Sequence, residues 1–229
     1  MGMMDTSQDL RAGSPASACA AVAVVGCGPG SPQYLTDAAR QVVAAADVLA
    51  GSRRLLNLFP DHAGEHFAWN ADIASLLDQV ERTRGAGRRV AVLVSGDPGL
   101  CSLARRVIER FGRRAVEIVP GISSVQVAFA RLGLDWTHAR IVSAHGRTPE
   151  IAPDELPRGG EIAVLAGSRE ALQWSAATAR SLESSHAAML CENLTLPDEC
   201  VRPMTPDQLD AATVSPLSLV LLIRRNLIG

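Results

Sequence analysis

Three short apolar runs, Ala21–Val25, Arg89–Val94 and Ala115–Val119, each break into a loop rich in glycine, proline or serine. The loops read Gly26-Cys27-Gly28-Pro29-Gly30, Ser95-Gly96-Asp97-Pro98-Gly99 and Pro120-Gly121-Ile122-Ser123-Ser124. An unbroken apolar run bounded by turn residues is the pattern of a fully buried strand. Such strands alternating with helical stretches fit an α/β protein with largely parallel sheets, in which helices cover the strands.

The helical stretches lie where that architecture needs them. Thr36 is placed to cap a helix over Asp37–Ala46, with Asp37 in its first turn, before a short strand at Asp47–Ala50. Ser52–Leu58 reads as a turn of helix, and Asp72–Arg84 as an amphipathic helix presenting Ile73, Leu76, Leu77 and Val80 on one face. Further helices are expected over 100–111, from Ser124 to about Leu132, and over Glu170–Arg180. Strands are expected at Arg140–Ser143, Glu161–Leu165, Ala187–Cys191 and Leu217–Arg224, with a surface loop at Thr148–Gly160. The break between halves falls near Pro120-Gly121, giving a disordered tail over 1–20, an N-terminal α/β lobe over 21–119 and a C-terminal α/β lobe over 120–229.

Composition removes several chemistries. All 22 basic residues are arginine, so Schiff-base and pyridoxal phosphate chemistry, the P-loop lysine and kinases of the usual type are excluded. Arginine remains for fork-like recognition of carboxylates or phosphates. A net charge of −2 with 3% aromatic residues gives neither the basic footprint nor the stacking platform of a nucleic-acid binder. No apolar run reaches membrane-spanning length, and the first residues lack a secretory signal pattern. The five cysteines form no CxxC pair and fit buried or incidental thiols in a reducing cytoplasm. His62 and His66 stand four apart, but Pro60 and Gly64 interrupt any helix there and no third ligand is near, so no metal site is expected.

The loops carry the candidate chemistry, each beside a plainer role. Gly26–Gly30 after the first strand suggests a dinucleotide or S-adenosylmethionine site, yet Pro29 and Pro32 delay the helix, which is unlike a Rossmann turn. The alternative is a glycine-rich turn without a ligand. Asp97 is placed to accept a hydrogen bond from a ligand amine or hydroxyl, or to cap the next helix. Ser123 and Ser124 offer donors at a helix start, or simply cap it. His145 and Arg147 flank Gly146 at a later strand end, where a histidine is either catalytic or structural.

Taken in order, these segments resemble the tetrapyrrole methylases. That family opens with G-x-G-P-G-(D/S)-x-x-x-L-T, matched by Gly26 to Thr36, and continues with G-D-P, here Gly96-Asp97-Pro98, and P-G-(I/V)-S-S, here Pro120 to Ser124. The likeness runs over about residues 21–226. Asp47–Leu56, Val142–Arg147 and Glu192–Glu199 resemble the branch that methylates carbon 5 of precorrin-7 or cobalt-precorrin-7 in cobalamin biosynthesis; Ala166-Gly167 departs from it, where a threonine and an acidic residue are common.

The resemblance implies a two-lobed tetrapyrrole methylase-like fold, that of class III S-adenosylmethionine methyltransferases, with the methyl donor in the cleft between the lobes. It further implies a homodimer, no metal, and a small-molecule tetrapyrrole substrate. Cofactor contacts would come from Gly28, Pro29, Gly30, Ser95, Gly96, Asp97, Leu100, Ser123, Ser124, Leu165 and Leu217. Arg147, with Arg53 and Arg54, would hold substrate carboxylates, the alternative for Arg53-Arg54 being a solvated face, and His145 would be the base. A separate carbon-15 methyltransferase/decarboxylase is the expected partner, since the chain leaves no room for a second methyltransferase domain after its last strand. Readings left open are another member of the same fold, a nicotinamide-dependent oxidoreductase, and a non-catalytic partner protein.

Overall fold

The computed structural model describes residues 20–70, 72–144, 149, 151, 155–156, 159–213 and 215–228. The first half forms a five-stranded sheet from β1 (Val22–Gly26), β2 (Val48–Gly51), β3 (Glu65–Ala68), β4 (Val90–Val94) and β5 (Val116–Val119). Every pairing is parallel and the order is β3-β2-β4-β1-β5. Helices α1 (Asp37–Ala45), α2 (Arg53–Leu56), α3 (Ile73–Gly85) and α4 (Ala104–Phe111) make the crossovers.

Strand alternation sends Val25, Leu49 and Leu93 to one face, against Ala39 and Val43 of α1 and Leu55 and Leu56 of α2. Val22, Val24, Val90 and Val92 face the other way, against Leu76 and Val80 of α3 and Val107 of α4. Both faces are therefore dry, which is why β1 and β4 are apolar at every position. The expected cap holds, since Thr36 Oγ1 accepts from Ala39 N at 3.1 Å, whereas Asp72, expected inside α3, caps it instead, its Oδ1 accepting from Ala74 N and Ser75 N at 3.1 and 3.2 Å.

The second half holds α5 (Ser124–Leu132), β6 (Arg140–Ser143), β7 (Ile162–Leu165), α6 (Arg169–Ser181), β8 (His186–Glu192), β9 (Cys200–Met204), α7 (Pro206–Ala211) and β10 (Ser218–Arg224). Its sheet order is β6-β7-β10-β8-β9. Here the expectation of largely parallel sheets fails: β6 and β7 pair in parallel, whereas β7–β10, β10–β8 and β8–β9 are antiparallel. The connection 193–199 is too short for the dozen-residue crossover that returns a strand in the same direction, so β9 folds back on β8. Leu172 and Trp174 of α6 cover one face of this sheet. Val125, Val127 and Phe129 of α5 cover the other, and Tyr34 and Leu100 from the first half pack beside them.

Strands β3 and β9 and helix α7 were not expected. Both strands are sheet edges, β3 mostly exposed and β9 carrying Arg202 and Pro203, so neither shows an apolar run. No helix among the described residues is long and apolar enough to cross a membrane.

Candidate functional site

The strands bearing the three glycine-proline loops, β1, β4 and β5, are neighbours in the first sheet, although the chain visits two other strands between β1 and β4. Their C-terminal ends meet at one edge, where ligands of α/β proteins bind. The backbones there nearly touch. A Cβ on Gly26 would stand 2.6 Å from Gly121 N and 2.8 Å from Gly96 O, and one on Gly121 would stand 2.8 Å from Gly26 Cα. Gly28 and Gly96 extend the β1–β4 pairing into the loops, with Gly96 N donating to Gly28 O at 2.8 Å. Gly96 sits at φ +67°, a left-handed position natural to glycine, and a Cβ there would meet only Ser123 Cα at 3.6 Å. The missing side chain leaves room beside the loop.

Asp97 binds the loops together rather than capping a helix. Its Oδ1 accepts from Gly99 N at 2.7 Å and its Oδ2 from Gly121 N at 3.0 Å, while α4 starts only at Ala104. Ser123 does take the plainer role. Its Oγ accepts from Gln126 N at 3.2 Å while Gln126 Oε1 accepts from Ser123 N at 2.8 Å, a full capping box for α5.

These loops form one wall of a cleft of about 460 Å³, within the roughly 300–1,000 Å³ of small-molecule sites. Among the expected cofactor residues, Pro29, Ser95, Gly96, Asp97, Leu100, Ser123, Ser124, Leu165 and Leu217 line it. Gly28 and Gly30 do not. Gly28 serves the bridge to Gly96, and Gly30 lets Leu196 pack close, since a Cβ would come within 2.9 Å of Leu196 Cγ. The arginine pair separates too: Arg54 lines the cleft, whereas Arg53 is exposed outside it. Arg54 Nη2 donates to Ser95 Oγ at 3.0 Å. Its burial pulls the guanidinium pKa down, and the adjacent Cys27 thiol is pushed up to about 12 by its own burial. His145 and Arg147 lie outside the described residues.

Sequence reasoning missed Ser52, Cys101, Ala166, Leu194, Pro216, Ser218 and Leu219, which also line the cleft. Most offer apolar surface or backbone, so residue type carried no signal. The loop 193–199 was noticed only as a stretch of likeness, yet it braces the cleft. Asn193 and Thr195 take φ +51° and +72°, and a β-branched residue at positive φ is strained. The strain is held by a web of bonds. Ser31 N donates to Thr195 Oγ1 at 3.0 Å, and Glu199 accepts from Thr195 N and from Arg131 of α5. Arg131 in turn reaches Tyr34 Oη at 3.2 Å, and its guanidinium holds the Glu199 carboxyl below the usual range. The opening loop, α5 and the β8–β9 connection are thereby fixed together.

The donor set suits an organic ligand. No group of three or more His, Cys, Asp or Glu that could hold a metal occurs among the described residues, where His62 and His66 stack on each other with ring centroids 5.4 Å apart. Leucines 100, 165, 194, 217 and 219 give an apolar bed, with hydroxyls at Ser52, Ser95 and Ser124 and one cation at Arg54. An adenine, a ribose and a carboxylate match those three surfaces, so the residues present fit S-adenosylmethionine.

Comparison with known proteins agrees with the fold. The cobalt-precorrin-7 C(5)-methyltransferase of Salmonella typhimurium is 37% identical over 146 residues, 64% of this chain and 71% of the relative. The solved cobalamin biosynthesis precorrin-6Y methylase of Archaeoglobus fulgidus superposes with a TM-score of 0.69 at 27% identity, covering 90% of this chain and 98% of that one. The uroporphyrin-III C-methyltransferase of Thermus thermophilus, solved with S-adenosylhomocysteine, gives 0.72 at 25% identity over 88% and 96%. The family model for tetrapyrrole (corrin/porphyrin) methylases matches residues 21–210, so the chain belongs to that family of S-adenosylmethionine-dependent methyltransferases.

Proposed function

We propose that this chain methylates carbon 5 of precorrin-7 or cobalt-precorrin-7 in cobalamin biosynthesis, with S-adenosylmethionine held in the cleft between lobes 21–119 and 120–229. The observation that carries this is the convergence of the loops after β4, β1 and β5 on one cleft that residues 194 and 216–219 close from the second sheet. The choice of carbon is supported by the Salmonella relative, named for carbon 5.

When bound, the cofactor supplies an electrophilic methyl group, so neither a lysine nor a metal is needed for activation. The chain's task is alignment and exclusion of water. Holding two reactants in line removes roughly 7–11 kcal/mol of barrier. The Gly26–Gly96–Gly121 contact and the Asp97 tie make the floor of the cleft rigid enough for that. On the substrate side we assign Arg147 to a macrocycle carboxylate and His145 to the proton lost after methylation, for which an imidazole with an ordinary pKa of about 6.5 is suited.

We further propose a cytoplasmic homodimer working beside a separate carbon-15 methyltransferase/decarboxylase. For the carbon-15 step, the reading is supported by the name of the Sinorhizobium precorrin-6Y C(5,15)-methyltransferase [decarboxylating], which couples the two methylations and which this chain matches over 38% of that protein's length. The test is incubation with labelled S-adenosylmethionine and precorrin-7 in excess EDTA, followed by locating the methyl group. One methyl at carbon 5 without carbon dioxide is expected. Methylation at carbon 11 or 15, release of carbon dioxide, or activity that requires added metal would refute the corresponding part.

A further inference from the structure

The cleft contains a cation that no carboxylate of the described residues touches and whose hydrogen bonding is incomplete. Arg54 and Asp97 are its charged lining side chains among the described residues, and Asp97 already spends both oxygens on Gly99 N and Gly121 N. The neighbouring Cys27 is a neutral thiol. Arg54 Nη2 is satisfied by Ser95 Oγ, but Nη1 is buried with no hydrogen-bond partner. Several other guanidiniums meet carboxylates, as in Arg89–Asp47, Arg131–Glu199 and Arg224–Glu161. A buried donor left unmade is costly, and a planar fork of N–H groups is shaped for two oxygens of one anion.

We propose that Arg54 is the carboxylate-reading residue of this cleft, with Nη1 completing its hydrogen bonding only when a ligand carboxylate arrives. This rests on the cofactor and substrate class given above. That class supplies two sources of the same chemistry, the amino-acid carboxylate of S-adenosylmethionine and an acetate or propionate arm of the macrocycle. Ser95 holds the guanidinium in place from the Gly96–Asp97 loop, so the loop that shapes the floor also aims the charge. The pairing explains why α2, only one turn long, carries an arginine inward when Arg53 beside it faces solvent.

The experiment compares wild type with Arg54→Gln and Arg54→Lys. Calorimetry measures S-adenosylhomocysteine and 5′-methylthioadenosine, which shares the adenosine and sulfur but lacks the carboxylate. Turnover measures the KM for precorrin-7. If the cofactor carboxylate is read, Arg54→Gln weakens S-adenosylhomocysteine by about 10- to 100-fold, the size of a charged hydrogen bond, and leaves methylthioadenosine unchanged. If the macrocycle is read, both adenosine ligands bind as in wild type and KM rises by a similar factor. In either case Arg54→Lys recovers only part of the loss, and the ligand-free Arg54→Gln protein melts no lower than wild type. Unchanged binding and KM, or a lower melting temperature with equal losses for both adenosine ligands, would overturn the assignment. Wild-type protein that binds neither adenosine ligand would instead remove the cofactor reading on which it stands.

Discussion

Gly121→Ala tests whether the floor of the cleft is set by backbone contact. The new Cβ would stand against the Gly96 carbonyl and 2.8 Å from both Cα and C of Gly26. Ordinary contact begins near 3.4 Å, and all the obstructing atoms are main chain, so no side chain can rotate aside. The end of β5 must move from β1 and the Gly96 loop by more than half an ångström. Overpacking of this kind costs roughly 1–3 kcal/mol. The same movement stretches the bond from Gly121 N to Asp97 Oδ2, now 3.0 Å, and a hydrogen bond to a charged acceptor is worth about 1.5–3 kcal/mol. The expected total is about 2.5–6 kcal/mol in urea denaturation. Because Ser123 and Ser124 ride on the displaced loop, S-adenosylhomocysteine affinity should fall at least about tenfold by calorimetry. Gly85→Ala is the control. It lies in the last turn of α3 with nothing within 4 Å of its Cβ position, so the change should stabilise by about 0.5–1 kcal/mol and leave affinity alone. A Gly121→Ala protein with wild-type stability and affinity would refute the contact as the determinant of the floor.

Asp97→Asn keeps the shape of the loop tie but replaces one acceptor oxygen with a donor, setting an N–H against either Gly99 N–H or Gly121 N–H; urea melts should show a loss of about 1–3 kcal/mol. Glu199 has a folded-state pKa lowered chiefly by Arg131, so its contribution is complete above the ordinary carboxylate pKa and is lost as pH falls through the lowered value. Glu199→Gln should therefore destabilise at neutral pH and flatten the acid limb of stability below about pH 4.3, read from urea midpoints across pH 3–7.

Legibility in the sequence followed burial. Strands β1 and β4 sit in the middle of a doubly covered sheet, so every position is apolar and the run announces itself. The cap at Thr36 was legible because a side-chain oxygen at a helix start has a local job that needs no knowledge of the fold. By contrast, β3 buries only part of Phe67, and β9 is an edge able to hold Pro203, so neither produces a pattern. The direction of the second sheet was hidden for another reason. It is set by the 193–199 connection, which turns on Asn193 and Thr195 at positive φ rather than on the glycines that mark turns.

The site divides along the same physical line. Close backbone approach at Gly26 and Gly121 and a left-handed φ at Gly96 favour glycine, so these positions leave a signature in the letters themselves. Surfaces made of leucine side chains and peptide groups, such as Leu194 and Leu219, tolerate many residues and leave none. Arg53 and Arg54 are indistinguishable as letters, because a helix of one turn has no periodicity from which to tell its inner side; burial, the Ser95 contact and the unpaired Nη1 separate them in the structure. Nor does any single loop reveal its purpose, since the Ser123 cap and the Asp97 tie are each complete as local structure. What makes them a site is the order β4-β1-β5, which places three distant loops at one sheet edge. That order follows from β4 entering beside β1 after the chain has gone out to β2 and β3, a step governed by how the α1 and α3 crossovers pack and not by the sequence of any one strand.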